Sequence, residues 1–320
     1  LINTFNLKGE EIMSHFTVAV FTDGTKSLEE LLAPYQENNM GDCPKEYLAF
    51  HDEEDSYLKE YEEDGLEMIK TPNEELIYTW DNSLRKIQDS FRTKDLRVDK
   101  NEYIKKLNEM GYKEVFVKYK EKYPTFEEFV RDFHGREERD PETKRYGYWE
   151  NPNRKWDWYQ LGGRWQGSLL VKDDSEHSVG SLGLMTQPRE LYNPAPEGYK
   201  WVDQAKVGDI EWDLMAELNK KEAINRWEEA EKDPKQDTNY RYFMYGIKKD
   251  MTKEDYISSI ADNFETYAVL TTDGKWHEKG KMGWFGISTD EKQGWSESYK
   301  ESFIKNADPN WTISIVDCHI

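Results

Sequence analysis

Two segments near opposite ends of the chain resemble each other, and this internal similarity constrains the fold more than any other feature of the sequence. Residues 17–24 read TVAVFTDG, and residues 267–274 read YAVLTTDG. Each segment is a short apolar run, rich in β-branched or aromatic residues, that ends in Thr-Asp-Gly. Such a pattern is typical of a strand that enters a tight turn. We therefore expect both ends of the chain to contribute strands to one sheet.

The middle of the chain has the apolar spacing of helices rather than of strands. Four apolar residues recur there at intervals of three and four: Trp80, Leu84, Ile87 and Phe91. Such spacing places side chains on one face of a helix. The sequence thus predicts an α+β fold, with a mixed sheet built from both chain ends and a protruding, mainly helical middle segment. In this prediction residues 13–44 and 146–320 form the core, and residues 45–145 form the helical insertion or arm.

Local patterns predict individual elements. Ser27 precedes the apolar residues of 28–32, so we expect it to cap a short helix. Residues 211–233 are predicted to form a long helix. The aromatic run 240–245 (YRYFMY) predicts a strand, and residues 311–316 predict a strand near the chain's end.

The charge of the chain indicates which partners it favours. Aromatic residues make up 14% of the sequence, and disordered chains are poor in aromatics, so the chain is expected to fold. The formal net charge of −21 repels nucleic acid and anionic lipid and favours basic partners. The densest acidic runs are either solvated surface or an acidic contact face that occupies a basic groove. These runs comprise Asp52, Glu53, Glu54, Asp55, Glu62, Glu63 and Asp64.

The cysteine content indicates the redox compartment of the protein, and the first residues predict where its translation starts. Cys43 and Cys318 are the only cysteines, which does not make a disulfide framework and favours a reducing cytoplasm. No run of ~18 apolar residues predicts a membrane span. Met13 directly precedes the first predicted strand, and residues 8–11 (KGEE) are what a purine-rich ribosome-binding sequence would encode. We therefore expect residues 1–12 to be a non-native or disordered leader.

The densest group of unusual residues lies in residues 148–165, which read YWENPNRKWDWYQLGGRW. Six aromatic residues, an Asn-Pro turn and two adjacent glycines suggest that this segment has a structural or a binding role. It either forms a structural mini-core or stacks a nucleotide base, an interaction worth ~1–3 kcal/mol per base. A second aromatic and glycine cluster near residue 280 could pack against it. The candidate cluster comprises Trp149, Trp156, Trp158, Tyr159, Arg164, Trp165, Trp276 and Trp284.

No motif in the sequence predicts a reaction. The six histidines are dispersed and lack zinc-ligand spacing. Gly162, Gly163 and Arg164 lack the glycine pattern of a phosphate-binding loop and are interpreted as a tight turn that presents Arg164. Cys318 and His319 are neighbours on a predicted strand, so their side chains point to opposite faces and thiol catalysis is not expected. We therefore expect no metal, no cofactor and no enzymatic activity.

Several segments together resemble a family of phage and bacterial proteins, and the chain is similar to the phage inhibitors of the Gabija defence system. The segments are residues 14–18 (SHFTV), 32–37 (LAPYQE), 151–153 (NPN), 156–159 (WDWY), 162–165 (GGRW), 276–280 (WHEKG) and 316–320 (VDCHI). The resemblance implies a phage-encoded, self-associating, non-enzymatic protein in the host bacterial cytoplasm. Such a protein binds the nuclease–helicase complex and blocks its DNA binding and cleavage. The alternative is a small-nucleotide protein, either a sponge or a nucleotide-degrading enzyme that disarms host immune signalling.

Overall fold

A computed structural model describes residues 15–92, 99–184, 186–282 and 288–320. The predicted leader at residues 1–12 and the candidate residue Trp284 lie outside these described residues. The chain divides into two compact units. The larger comprises the described residues up to Leu48 together with Asn151–Ile320, and the smaller comprises Ala49–Glu150.

Both strands and helices occur throughout the described chain. The strands are β1 (His15–Thr22), β2 (Ala49–Asp52), β3 (Gly65–Lys70), β4 (Leu76–Tyr78), β5 (Lys113–Lys118), β6 (Gly147–Glu150), β7 (Trp158–Gly163), β8 (Leu169–Lys172), β9 (His177–Ser178), β10 (Ser181–Leu182), β11 (Tyr199–Val202), β12 (Gln204–Lys206), β13 (Ala268–Leu270), β14 (Trp276–Glu278), β15 (Lys281–Met282), β16 (Ser288–Thr289) and β17 (Thr312–His319). The α-helices are α1 (Leu28–Leu32), α2 (Glu54–Glu63), α3 (Arg85–Ser90), α4 (Lys100–Glu109), α5 (Tyr119–Lys122), α6 (Phe126–His134), α7 (Trp212–Lys232), α8 (Thr238–Tyr245), α9 (Lys253–Ala261) and α10 (Trp295–Tyr299). A π-helical turn at Lys300–Lys305 follows α10, and short 3-10 turns occupy Ala33–Tyr35, Lys45–Tyr47, Asn82–Leu84, Arg189–Leu191 and Val207–Asp209.

The larger unit is built on a mixed sheet in which the two chain ends pair. Its strand order is β10-β7-β17-β1-β13-β14, with β12 also pairing with β17 and with β9. Strand β1 pairs in parallel with β13, so that Val18 lies opposite Ala268, and pairs antiparallel with β17 along its whole length. The predictions of an α+β fold and of one sheet built from both chain ends are therefore confirmed.

The two faces of this sheet carry different cores because side chains alternate along each strand. One face bears Ala19 and Phe21 of β1 and packs against β8, β11 and α7. The other face bears Val18 and Val20 and packs against α1. At one end of the first face the apolar residues give way to polar ones, and that end holds the site described below.

Several local predictions are confirmed and one is wrong. Ser27 caps α1 in a capping box with Glu30, and the long helix predicted at 211–233 is α7. The aromatic run 240–245 is the helix α8 and not a strand. Asp237 accepts a hydrogen bond from the first turn of this helix, and Gly246 ends it with φ of 73°. These two caps outweigh the strand preference of the aromatic residues.

The smaller unit contains more strand than the helical prediction for the middle of the chain allows. Besides α2–α6 it has the antiparallel sheet β4-β3-β5 and the pair β2–β6. Trp80 does not belong to a helical face: it is 66% exposed and stacks on Tyr78, with ring centroids 4.7 Å apart. Leu84 alone of the four spaced residues is fully buried.

Candidate functional site

Two histidines from opposite ends of the chain meet at one edge of the larger unit's core. His15 is the first residue of β1 and His319 is the last residue of β17, and the antiparallel register places them directly opposite each other. Their ring centroids are 5.1 Å apart, and both side chains are nearly buried. The sequence shows no proximity between them, because 304 positions separate residue 15 from residue 319.

A carboxylate holds each imidazole by the same ring nitrogen. His15 Nδ1 lies 2.7 Å from Asp317 Oδ1, and His319 Nδ1 lies 2.6 Å from Asp157 Oδ1. Because an ionised carboxylate can only accept a hydrogen bond, each Nδ1 carries a proton. The Nε2 atom of each ring is then the nitrogen that is left as a proton acceptor, and of the two rings His15 lines a cavity. His319 Nε2 is buried and has no hydrogen-bond partner among the described residues.

Asp317 connects His15 to the turn after β7. It is fully buried, and its second oxygen accepts a hydrogen bond of 2.9 Å from the Arg164 backbone N–H. A buried carboxylate is stable only where such partners replace water. Asp317 is therefore fixed in position, and His15 is fixed with it.

The two adjacent glycines allow two buried carboxylates to approach the backbone. Gly162 and Gly163 have φ of 75° and 58°. A Cβ atom on Gly163 would lie 2.7 Å from Asp317 Cγ, and one on Gly162 would lie 2.6 Å from Asp203 Oδ2. The interpretation of this segment as a tight turn is confirmed, and the close approach explains why the turn needs glycine twice.

Asp203 stabilises the loops on the other side of the turn. It is fully buried and accepts hydrogen bonds from the backbone N–H groups of Gly167, at 2.6 Å, and Gly180, at 2.8 Å. Burial raises the pKa of this carboxyl, while the backbone hydrogen bonds lower it. Sequence reasoning did not identify Asp203, since nothing near residue 203 marks it as a partner of residues 167 and 180.

A cavity of about 170 Å³ opens beside His15. The β7–β17 register places Trp158 and Gln160 on the same face of the sheet as His319 and Asp317. Trp158 stacks on the His319 ring with centroids 5.2 Å apart and remains 38% exposed. The cavity is lined by His15, Trp158, Gln160, Leu182, Gly183 and Leu184.

The other aromatic candidates of the larger unit divide between the two faces. Trp156 is buried on the opposite face, donates to the Leu32 carbonyl at 3.2 Å and packs edge-to-face on Tyr159. Burial raises the pKa of Tyr159 to about 12. Trp276 packs against the same cluster as Trp156. These three side chains form the structural mini-core, whereas Trp165 packs partly against the core of the first face.

Trp149 and the acidic runs belong to the smaller unit. Trp149 donates to Asp140 Oδ2 at 2.8 Å. In the first acidic run, arginines of the same unit neutralise three of the four carboxylates: Asp52 and Asp55 bind Arg145, and Glu54 binds Arg139.

The remaining acidic residues have fewer cationic partners. Glu53 lies 2.7 Å from His51 Nε2, and Glu63 lies 4.0 Å from Lys59 Nζ. Glu62 is exposed on α2, and Asp64 ends that helix. The acidic contact face stays a prediction.

Thiol chemistry has no support at the end of β17. Cys318 is fully buried on the face opposite His15 and His319. Burial raises the pKa of its thiol well above the ordinary value. The strand alternation used to separate Cys318 from His319 is confirmed.

Searches of the described residues and of known proteins add three negative findings. Among the described residues, no group of three or more His, Cys, Asp or Glu side chains could hold a metal ion. No helix in the described ranges is long and apolar enough to cross a membrane. Comparisons of the chain with protein-family models, curated proteins and solved structures find no match.

Proposed function

We propose that the protein is an acid–base enzyme in which His15 transfers protons to and from a small ligand bound in the cavity beside it. The observation that carries this proposal is the position of His15, which lines the cavity while its Nδ1 is held 2.7 Å from the buried Asp317. This is the arrangement by which a carboxylate fixes the tautomer and orientation of a working imidazole.

The geometry supports a specific role for each residue in the proton transfer. His15 Nε2 removes a proton from water or from a hydroxyl of the ligand, which then attacks an ester-type bond. The protonated ring is stabilised by Asp317 and returns the proton to the leaving oxygen. Such catalysis contributes typically 10²–10⁴-fold to a rate. His319, held by Asp157, makes an edge contact with the His15 ring and supports its orientation.

A nucleotide is the ligand class that the aromatic segment favours. Trp158 stands at the cavity with an exposed ring, and such a ring stacks on bases of any sequence. The cavity is smaller than the ~300 Å³ at the lower end for ligand pockets. It therefore holds only part of a nucleotide.

The test is a substrate panel with matched histidine variants. Linear and cyclic nucleotides and the p-nitrophenyl esters of acetate and phosphate are incubated with wild type, His15→Asn and His51→Asn. His51 is a half-exposed histidine of the smaller unit and serves as the control. We expect turnover that falls by about 10²-fold or more in His15→Asn and stays at the wild-type level in His51→Asn. Equal turnover in both variants would contradict the proposal.

Binding inhibition of a Gabija-type nuclease–helicase is the second candidate function. It is supported by the net charge of −21 and by exposed apolar side chains on α8, namely Tyr242, Phe243 and Met244. Interfaces are enriched in such aromatic and methionine residues. Co-expression with the tagged complex and size exclusion would give one large species, unaffected by His15→Asn but weakened by Phe243→Ser. Separate elution of wild type would remove this candidate.

A further inference from the structure

A second cavity, of about 230 Å³, lies on the same face of the sheet as His15. Thr17, which lines it, follows His15 by two residues on β1, so the two positions are about 7 Å apart along the strand. Part of the lining of this cavity is apolar and includes Leu169, Met215 and Ile313.

Two arginines line this second cavity without an acidic partner. The Arg189 guanidinium lies 3.7 Å from the ring centroid of Trp201 and donates to the Gly167 carbonyl at 3.0 Å. Arg164 is exposed on the turn after β7. No carboxylate of the described residues lies within 4.0 Å of either guanidinium.

The carboxylates near these arginines form hydrogen bonds or ion pairs with other groups. Glu265 also lines the cavity, but it binds Lys279 Nζ at 2.9 Å and the Ser296 hydroxyl. Glu190 accepts the Ala195 backbone N–H at 2.9 Å.

Glu222 is the third such carboxylate, and it binds Arg226 at 3.1 Å. Both Glu190 and Glu222 act on Arg189 only from a distance. Neither arginine therefore has a direct carboxylate partner among the described residues.

Two buried donors at the cavity have no acceptor. Arg189 Nε and Trp165 Nε1 are both inaccessible to solvent and lack a hydrogen-bond partner among the described residues. A buried donor without a partner costs folding free energy, so such groups in a native protein point to a ligand or water that satisfies them. A guanidinium fork together with an indole N–H is suited to a multidentate oxyanion.

We propose that this cavity binds a phosphate group, held by Arg164, Arg189 and the indole N–H of Trp165. The assignment of this phosphate to the substrate rests on the proposed function, but the binding itself does not. The turn that carries Arg164 also donates its backbone N–H to Asp317, which holds His15. The same turn thus carries a phosphate-binding residue, Arg164, and helps to fix the proton-transferring residue, His15.

Calorimetric titration of the full chain with inorganic phosphate tests this proposal. Arg164→Gln removes an exposed cation and should not disturb folding, and Lys200→Gln removes the same charge from an exposed position of β11 outside the cavity. We expect phosphate to bind wild type and Lys200→Gln equally, and Arg164→Gln about tenfold more weakly, the effect of losing about 1.4 kcal/mol. Trp165→Phe keeps an aromatic ring, loses the donor and should also weaken binding.

Three results would overturn the proposal. One is the absence of a binding heat at ~10 mM phosphate, ten times a millimolar dissociation constant. Another is equal weakening by Arg164→Gln and Lys200→Gln, which would indicate general charge attraction. The third is wild-type affinity in both Arg164→Gln and Trp165→Phe.

The same variants separate this proposal from the acid–base function. His15→Asn should bind phosphate like wild type while losing turnover. Turnover of p-nitrophenyl acetate that depends on His15, without phosphate binding, would leave the acid–base function and remove the phosphate site. Phosphate binding that depends on Arg164, without any His15-dependent turnover, would leave the phosphate site and remove the enzyme.

Discussion

Replacement of Gly163 by alanine should destabilise the larger unit far more than replacement of a glycine in a free turn. Gly163 has φ of 58°, where a residue with a Cβ atom costs roughly 1–2 kcal/mol. The new methyl would also overlap the buried Asp317, whose Cγ lies 2.7 Å from the ideal Cβ position. Asp317 would have to move and release the Arg164 N–H, and a hydrogen bond to a charged group is worth about 1.5–3 kcal/mol. Together the two effects amount to roughly 2.5–5 kcal/mol.

Gly24→Ala is the matched control. Gly24 has φ of 85°, but a Cβ atom there meets nothing within 4 Å. Its replacement should cost only the backbone part, roughly 1–2 kcal/mol. The difference between the two variants therefore isolates the contact with Asp317.

Urea unfolding followed by tryptophan fluorescence gives both free energies from the midpoint and slope of each transition. Hydrogen exchange of the β17 amides assigns the loss to the larger unit. We expect Gly163→Ala to be about 1.5–3 kcal/mol less stable than Gly24→Ala. Equal destabilisation of the two variants would refute the explanation given for the paired glycines.

Three further predictions concern charge, thiol reactivity and packing. The Lys275 ammonium lowers the pKa of Asp273 to about 2, so the stability from this exposed pair is present above ~pH 4 and is lost as the pH falls through 2. Asp273→Asn should therefore lower the urea midpoint slightly at pH 6 and have a smaller effect at pH 2; a larger effect at pH 2 than at pH 6 would contradict the assignment. Because burial raises the pKa of the Cys318 thiol, it should react with a thiol reagent at pH 8 only as fast as the protein unfolds, and rapid labelling of the native protein would show that it is accessible. Trp156→Ala should cost about 3–5 kcal/mol in unfolding experiments, whereas Trp158→Ala, at a partly exposed position, should cost ~1–2 kcal/mol; a smaller loss at Trp156 would reverse the roles given to them.

Short-range patterns of the sequence predicted the elements that depend on neighbouring residues. The strands in segments 17–24 and 267–274, the Ser27 cap and the helix α7 follow from residue pattern and capping, and the structure has all of them. The run 240–245 was misassigned because aromatic content suits a strand, while the caps at Asp237 and Gly246 impose a helix.

The candidate site could be predicted only in part, because its members come from distant parts of the chain. The tight turn at Gly162 and Gly163 was identified, but its cause was not, since Asp203 and Asp317 lie far away in the sequence. The opposition of residues 15 and 319 depends on the register between β1 and β17, which is set by packing of the whole sheet. His15, Trp158 and His319 belong to three of the segments singled out by resemblance, and they lie on β1, β7 and β17, where β17 pairs with both other strands.

The central claim, that Asp317 acts through His15 in proton transfer, is tested most directly by a double-mutant cycle on kcat/KM. The His15→Asn, Asp317→Asn and double variants are compared on the best substrate of the panel, after circular dichroism has shown that each is folded. The account predicts a loss of about 10²–10⁴-fold for His15→Asn and no further loss in the double variant, because the carboxylate has no role without the imidazole. A double variant whose loss equals the product of the two single losses would show that the residues act independently and would contradict the account.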